Sequence, residues 1–200
     1  MIAKIMKYLL SIFSTGVGEN ELGFFSRSRG RIFEIDRRIF FDPVSFFGSG
    51  HEVWEIVEQD DRSLLVTSVD LDKIVLTTCI MISDRGKISG EEKLKRMKDK
   101  GKIRLDLGIF LALYNEIGHG ALEYLFKHRG VEYLDFMGTV LRAPNNRRYI
   151  LYLYRHKDVS WHWSFKWLGD EFHSRHFSAS LALPCAVSRN LLVTSDKKSL

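Results

Sequence analysis

Apolar and polar residues alternate over short runs in the first half of the chain, a pattern typical of half-buried strands. Two such runs, at 31–41 and 51–58, are separated by a proline and by a Gly-Ser-Gly turn. Two shorter runs rich in β-branched residues follow at 62–67 and 73–82. The pattern therefore predicts that the first half of the domain is mostly sheet.

Helical spacing replaces this alternation in the middle of the chain. Ser89 precedes Glu92 by three positions, the spacing of a capping box, and predicts a helix that Gly101 ends. Apolar residues at helical spacing predict two further helices, over 105–116 and 121–128, on either side of a glycine-rich break.

Strand patterns return after residue 130 and continue almost to the end of the chain. Four runs, at 131–141, 147–156, 160–168 and 177–183, are joined by short turns, an arrangement typical of an antiparallel meander. The full pattern predicts an α+β fold with a mixed, largely antiparallel sheet, two to three central helices and a short N-terminal helix.

The two ends of the chain differ from its body. The apolar side chains of residues 1–13 share one helical face, which predicts an amphipathic helix that is too short for a membrane span or a signal peptide. We predict an N-terminal helix and loop over 1–30, a single α+β domain over 31–187 and a flexible tail over 188–200. Two cysteines in dissimilar contexts argue against a disulfide framework and favour a cytoplasmic location.

Basic residues outnumber acidic ones by 30 to 25, and this net charge of +5 favours an anionic partner such as nucleic acid or a nucleotide. Many of the cations fall on the helix after Ser89 and at a turn between two of the later strands. The candidate phosphate contacts are Lys93, Lys95, Arg96, Lys98, Lys100, Arg147 and Arg148. A solvated helix explains the helical set equally well.

A stripe of aromatic residues at period two marks the strand predicted over 160–168. Trp161, Trp163 and Phe165 share a face with Trp167, and we predict that this face is buried. The opposite face then carries His162, Ser164 and Lys166. Aromatic and basic residues side by side are also what base-stacking proteins require.

The glycine-rich break consists of Gly118, His119 and Gly120, followed by Ala121 at the start of a helix. Free amides and the positive end of the helix dipole at such a turn can receive a phosphate group. An ordinary interhelical turn is the other interpretation, because the full glycine fingerprint and a following lysine are absent.

Residues 69–141 resemble the ParB/sulfiredoxin family, in which a glycine-containing turn opens a helix that holds a phosphate. The matching positions are Gly118, Leu122, Glu123, Leu125, Gly130 and Val131. This sequence has Ala121 where the family has an arginine and Gly120 where it has a histidine. The resemblance implies nucleotide binding, with ATP as a ligand, and DNA cleavage of the kind credited to plasmid-borne proteins that inhibit conjugation.

Four histidines, His156, His162, His173 and His176, fall in a short span and raise the question of a metal site. His162 would lie opposite His176 if the chain turned at Asp170. Surface histidines need no ligand and no H-E-x-x-H motif is present, so we predict that no metal is bound. If a metal were bound, the candidate ligands would be His162, His173 and His176.

Pairs of acidic residues, such as Asp60 with Asp61 and Glu91 with Glu92, could hold Mg²⁺ in a nuclease. The sequence has no nucleophile elbow, phosphate loop or paired cysteine motif. Our leading hypothesis is a nucleic-acid or nucleotide-binding protein, with a weak DNase or ATPase activity, that acts in fertility inhibition or phage competition. The alternative is a non-enzymatic protein that inhibits or regulates a protein partner through its aromatic and basic surface.

Overall fold

The computed structural model describes residues 32–48 and 54–182 of the chain. It confirms the α+β class, because helices accompany a mixed, mostly antiparallel sheet. The predicted N-terminal helix and C-terminal tail lie outside the described residues. None of the helices within those two ranges combines the length and apolar composition needed to cross a membrane.

The helices and strands alternate along the chain. The first half contains β1 (Ile32–Glu34), α1 (Pro43–Phe47), β2 (Glu55–Gln59), α2 (Asp61–Leu64), β3 (Ser68–Asp70), β4 (Val75–Thr77), β5 (Lys87–Ser89), α3 (Gly90–Asp99) and β6 (Ile103–Arg104). The second half contains α4 (Leu107–Tyr114), α5 (Gly120–Arg129), β7 (Tyr133–Asp135), β8 (Thr139–Arg142), β9 (Arg148–Arg155), β10 (Trp161–Trp167), β11 (Glu171–His173) and β12 (His176–Leu181). Short 3₁₀ turns at Ile82–Asp84 and Ile117–His119 complete the described part.

The central sheet has eight strands, in the order β2-β8-β9-β7-β12-β4, with β10 paired to β9 and β6 paired to β12. Strand β9 pairs with β10 along nearly its whole length and with both β7 and β8 on its other edge. The pair of β7 with β12 is parallel, whereas the other pairs of this sheet are antiparallel. Two smaller sheets join β1 with β3 and β5 with β11.

The sheet is covered on both faces. One face carries the larger apolar core, in which Leu134, Leu151 and Leu153 pack against residues of α4 and α5. The other face carries a smaller core, in which Leu94 and Met97 of α3 pack in a cluster with residues of β8, β9 and β11. On this second face, beside α3, the side chains of Tyr133, Tyr152 and Tyr154 are only partly buried.

Local signals account well for α3. The Ser89 hydroxyl accepts a hydrogen bond from the Glu92 amide at 3.2 Å, which confirms the predicted N-cap. The Glu92 carboxylate pairs with Arg96 at 2.7 Å. Gly101 follows the helix in the left-handed conformation, with φ at 66°, which glycine adopts without steric cost.

The predicted strand over 62–67 is wrong, because residues Asp61–Leu64 form a helical turn. Long-range hydrogen bonds stabilise this turn. Arg37 donates to the carbonyl oxygens of Ser63 and Val66, each at 2.6 Å. The buried Ser63 hydroxyl also accepts from the Asp106 amide at 3.1 Å. These tertiary contacts outweigh the strand propensity of the segment.

Gly138, between β7 and β8, allows a close approach of backbone segments. Its amide donates to the Leu105 carbonyl at 2.8 Å, and an added Cβ would lie 2.4 Å from the Arg104 oxygen. We expect Gly138→Ala to lower the free energy of unfolding by about 1–3 kcal/mol, measured by urea denaturation, because the backbone must move. Gly120→Ala is the control, since its nearest contact would be an ordinary 3.5 Å. Equal losses in both variants would contradict this account.

Candidate functional site on the sheet

Strand register gathers aromatic and histidine side chains on the second face, beside α3. Tyr154 pairs with His162 of β10 and with Tyr133 of β7, and Tyr133 pairs with His176 of β12. Paired residues point to the same side of a sheet. We call the surface made by Tyr133, Tyr152, Tyr154, His162, His173 and His176 the tyrosine face.

The rings of the tyrosine face contact one another across four strands. Tyr133 stacks on Tyr154, with ring centroids 6.3 Å apart and planes 14° apart. Tyr152 lies 5.7 Å from Tyr154, and the His162 ring lies 5.8 Å from it on the other strand. The three tyrosines are half-buried, so each ring keeps part of its surface in solvent.

A buried ionic cluster lies at one end of the tyrosine face, between the sheet and α3. Lys93 and Asp135 have fully buried side chains, with Nζ 2.6 Å from Oδ2. Lys93 also donates to the His176 carbonyl at 2.7 Å, and His176 Nδ1 donates to the other Asp135 oxygen at 2.9 Å. We call Lys93, Asp135 and His176 the buried triad.

The Asp135 carboxylate is paired with both other members of the buried triad. Burial alone would raise the pKa of Asp135, but the positive charge of Lys93 and the hydrogen bond from His176 outweigh it and lower that pKa. The carboxylate is therefore ionised at neutral pH. It keeps its charge in a dry environment because both of its oxygens accept hydrogen bonds.

Helix α3 is anchored so that Lys93 reaches the sheet. The Gly90 and Glu91 amides at its start donate to the carbonyls of Asp170 and Leu168, at 3.1 and 2.9 Å. A Cβ on Gly90 would lie 2.6 Å from the Phe172 ring, so glycine is what allows the helix to approach β11 this closely. The first turn of α3 is thereby held against the connection between β10 and β11.

Two cations, Lys166 and Arg175, lie near the edge of the tyrosine face. Lys166 Nζ lies 5.0 Å from the Phe172 ring centroid, and the Arg175 guanidinium lies 5.8 Å from that of Tyr133. The His173 and His176 rings are 4.7 Å apart. Burial, followed by the charges of His176, Arg175 and Lys166, lowers the pKa of His173. The His173 imidazole is therefore mostly neutral at pH 7, beside cations that attract phosphate.

No family model, curated protein or solved structure matches this chain. The resemblance to the ParB/sulfiredoxin family stays a prediction for that reason. The function of the chain is therefore inferred from the geometry of the site and from the chemistry of its side chains.

Lys93 was predicted as a phosphate contact, and this prediction is wrong because its side chain is fully buried against Asp135. The number of charged residues in the sequence does not distinguish the buried Lys93 from the exposed lysines near it. One signal was present in the sequence, since Lys93 stands four residues before Met97 on the apolar stripe of α3. An acidic residue within an apolar strand, Asp135, is the matching signal on the sheet.

Three of the other six predicted nucleic-acid contacts pair with carboxylates. Arg96 pairs with Asp84 and Glu92, whereas Lys98 and Arg148 both pair with Glu58. Burial would raise the pKa of Glu58, but hydrogen bonds from Lys98 and Arg104 lower it, so this carboxylate is ionised. A phosphate would compete with these acidic groups for the cations.

Besides Lys98, three of the predicted contacts have exposed side chains: Lys95, Lys100 and Arg147. Lys100 Nζ lies 3.4 Å from the Thr77 hydroxyl, and the Arg147 guanidinium stacks on Trp167 at 4.5 Å. These three are the members of the predicted set that remain suited to contact a phosphate backbone.

The predicted phosphate site at Gly118, His119, Gly120 and Ala121 has an internal acceptor. The Ala121 amide donates to the Glu116 carboxylate at 2.8 Å, and the His119 amide donates to the Glu116 carbonyl at 3.0 Å. Burial raises the pKa of Glu116, opposed by the Ala121 hydrogen bond. A protein carboxyl group thus takes the position an incoming phosphate needs at this helix start, and the interhelical-turn interpretation is the better one.

The arrangement in which His162 would lie opposite His176 does not occur. His162 pairs with Tyr154 on β9, whereas His176 pairs with Tyr133 on β7. His173 and His176 are neighbours, but His162 lies with His156 and Asp158 at the turn between β9 and β10. The candidate set His162, His173 and His176 is therefore divided between two places on the sheet.

The aromatic stripe on β10 is only partly core. Trp161 is buried as predicted, whereas Trp163 and Trp167 are half-buried and Phe165 is 46% exposed. Phe46 of α1 packs on Trp163 with ring centroids 4.7 Å apart. Helix α1 thus covers the middle of the stripe.

Proposed function

We propose that the chain binds single-stranded nucleic acid on the tyrosine face. The observation that carries this proposal is the alignment of Tyr133, Tyr152 and Tyr154 on one side of neighbouring strands. Partly exposed aromatic rings on a sheet are the surface on which unpaired bases stack. A duplex keeps its bases stacked inside and offers no such faces, so the proposal specifies a single strand.

Charge supports the same ligand. Lys166 and Arg175 lie at the edge of the rings, where they could pair with the phosphates that link stacked bases. Stacking contributes affinity that tolerates different base sequences, whereas the cations make binding depend on salt.

Alanine at Tyr133 or Tyr154 is expected to weaken binding of a single-stranded oligonucleotide by about 1–3 kcal/mol, or about 5- to 150-fold, because each variant removes one stacking ring. Fluorescence anisotropy of a labelled RNA at two salt concentrations measures this change. Tyr124→Ala on α5 is the matched control, since Tyr124 packs on the opposite side of the sheet.

Two results would contradict the binding proposal. One is equal affinity of the Tyr133, Tyr154 and Tyr124 variants for the single strand. The other is tighter binding of the matching duplex than of the single strand. If the protein binds neither form, the alternative of a non-enzymatic inhibitor of a protein partner gains support.

Cleavage of the bound strand is a second candidate function, favoured by the two neighbouring histidines. His176 is held by its Nδ1 hydrogen bond to Asp135, which leaves Nε2 for proton transfer. His173, with its lowered pKa, is a neutral base at pH 7. This pair, beside Lys166 and Arg175, has the groups that RNA transesterification requires.

The reaction balances without a metal ion or a nucleotide cofactor. His173 takes the proton of a ribose 2′-hydroxyl, and the 2′-oxygen forms a bond to phosphorus. The bond from phosphorus to the 5′-oxygen breaks, and the leaving oxygen receives a proton from His176. Because this route needs the 2′-hydroxyl, the substrate is RNA. DNA cleavage, ATP and Mg²⁺ use, and conjugation inhibition stay predictions from the resemblance and the acidic pairs.

A further inference from the structure

A second group of ionisable side chains lies at the turn between β9 and β10, at the edge of the tyrosine face. His156 follows the last residue of β9, Asp158 lies within the turn, and His162 is the second residue of β10. The described residues contain one group of histidine, cysteine and acidic side chains close enough to hold a metal ion, and it is this one. His162 also belongs to the tyrosine face, but neither the binding proposal nor the cleavage proposal gives His156 or Asp158 a role.

The three ligand atoms of this group face one another. One nitrogen of each histidine and one Asp158 oxygen all lie within 4.8 Å of one another. His156 Nδ1 is 3.2 Å from Asp158 Oδ1, and His162 Nε2 is 2.7 Å from the Ser160 hydroxyl, which donates to that same carboxylate. Ser160 therefore aligns the second imidazole with the carboxylate.

The backbone of the turn brings the two strands together at this point. The His156 amide donates to the Ser160 carbonyl at 2.8 Å, and the Val159 amide donates to the His156 carbonyl at 3.0 Å. Val159 adopts a left-handed conformation, with φ at 72°, which is costly for a β-branched residue. Val159 thus lies in the chain between His156 and His162, the two histidines whose ring nitrogens lie near the Asp158 carboxylate.

We propose that His156, Asp158 and His162 bind a divalent transition-metal ion, with Zn²⁺ as the representative ion. Two imidazole nitrogens and one carboxylate oxygen are a common ligand set for such ions, and the remaining position is open to water or to a ligand oxygen. Hard cations such as Mg²⁺ prefer an all-oxygen set, so the two nitrogens disfavour them.

The approach of the ligands requires only side-chain movement. Tetrahedral Zn²⁺ places its ligand atoms about 3.3 Å from one another, given bond lengths of ~2.0–2.1 Å. The side chains of His156 and Asp158 are 52% and 61% exposed, so they can rotate by this amount without disturbing the core.

The metal-free full-length chain is titrated with ZnCl₂ at neutral pH, and calorimetry measures the heat of binding during the titration. We expect one Zn²⁺ per chain, and we expect His156→Ala and His162→Ala each to weaken binding at least about tenfold, because each removes one ligand. The visible spectrum of Co²⁺, which reports nitrogen coordination directly, is the second measurement. His128→Ala is the matched control, because His128 is an exposed histidine on α5 outside this group.

His173→Ala tests the rival histidine pair on the tyrosine face. Zinc affinity that falls in His173→Ala but not in the His156 and His162 variants would overturn the proposal. Absence of binding at millimolar Zn²⁺ would overturn it as well. Because the titration contains no nucleic acid, failure here leaves the binding proposal for the tyrosine face intact.

Discussion

Lys93→Met is expected to lower the free energy of unfolding by about 3–5 kcal/mol, because it leaves the Asp135 charge buried with one partner fewer. Asp135 is fully buried, and Lys93 lies 2.6 Å from it. The variant also removes the donor to the His176 carbonyl. Methionine matches lysine in length, so the loss reports the charge rather than a cavity. Urea denaturation of the purified protein measures it.

Lys95→Met is the matched control, because Lys95 is an exposed lysine on the same helix. We expect this control to change stability by less than about 0.5 kcal/mol. The double variant Lys93→Met with Asp135→Asn should recover part of the loss, since it no longer buries an uncompensated charge. Equal effects of the Lys93 and Lys95 variants would show that Asp135 does not need its partner.

His176→Asn is expected to lower the rate of RNA cleavage by about 10²- to 10⁴-fold if the second candidate function is correct. Asparagine can keep a donor near the position of Nδ1 for Asp135, but it lacks the Nε2 that transfers the proton. The fold should therefore survive while the chemistry is lost. Gel analysis of a labelled single-stranded RNA under single-turnover conditions measures the rate.

Three controls distinguish this chemistry from its rivals. The 2′-deoxy substrate should bind but stay intact, and EDTA should leave the rate unchanged. His128→Ala, purified in the same way, should retain full activity, so that a loss confined to His176→Asn excludes a contaminating ribonuclease as the source. Cleavage that persists in His176→Asn, or that requires a divalent cation, would contradict the two-histidine mechanism and favour a metal-dependent nuclease.

Elements stabilised by near neighbours could be predicted from the sequence. The cap of α3 was predicted because the Ser89 hydroxyl bonds an amide only three residues away. The hairpin of β9 and β10 was predicted because its alternation and turn residues are adjacent in the chain. In both, the stabilising contacts and the sequence signal occupy the same short segment.

Segments stabilised from a distance were predicted less well. The helical turn at Asp61–Leu64 depends on Arg37, 26 residues away from Ser63, and on the amide of Asp106. The glycine turn looked open to an anion because the sequence does not say that the Glu116 side chain folds back onto Ala121. A hydrogen bond from elsewhere in the fold can reverse a local preference worth only a fraction of a kcal/mol.

The α+β class, the capped helix and the late hairpin could be predicted from the residues alone, because periodicity and turn chemistry encode contacts between near neighbours. The positions of the functional groups depend instead on contacts between residues that are far apart in the chain. Lys93 meets Asp135 across 42 residues and His176 meets Asp135 across 41, through a helix packed on a parallel pair of strands. The sequence does not show whether a charged side chain faces water or a buried partner, because this depends on how the folded chain packs.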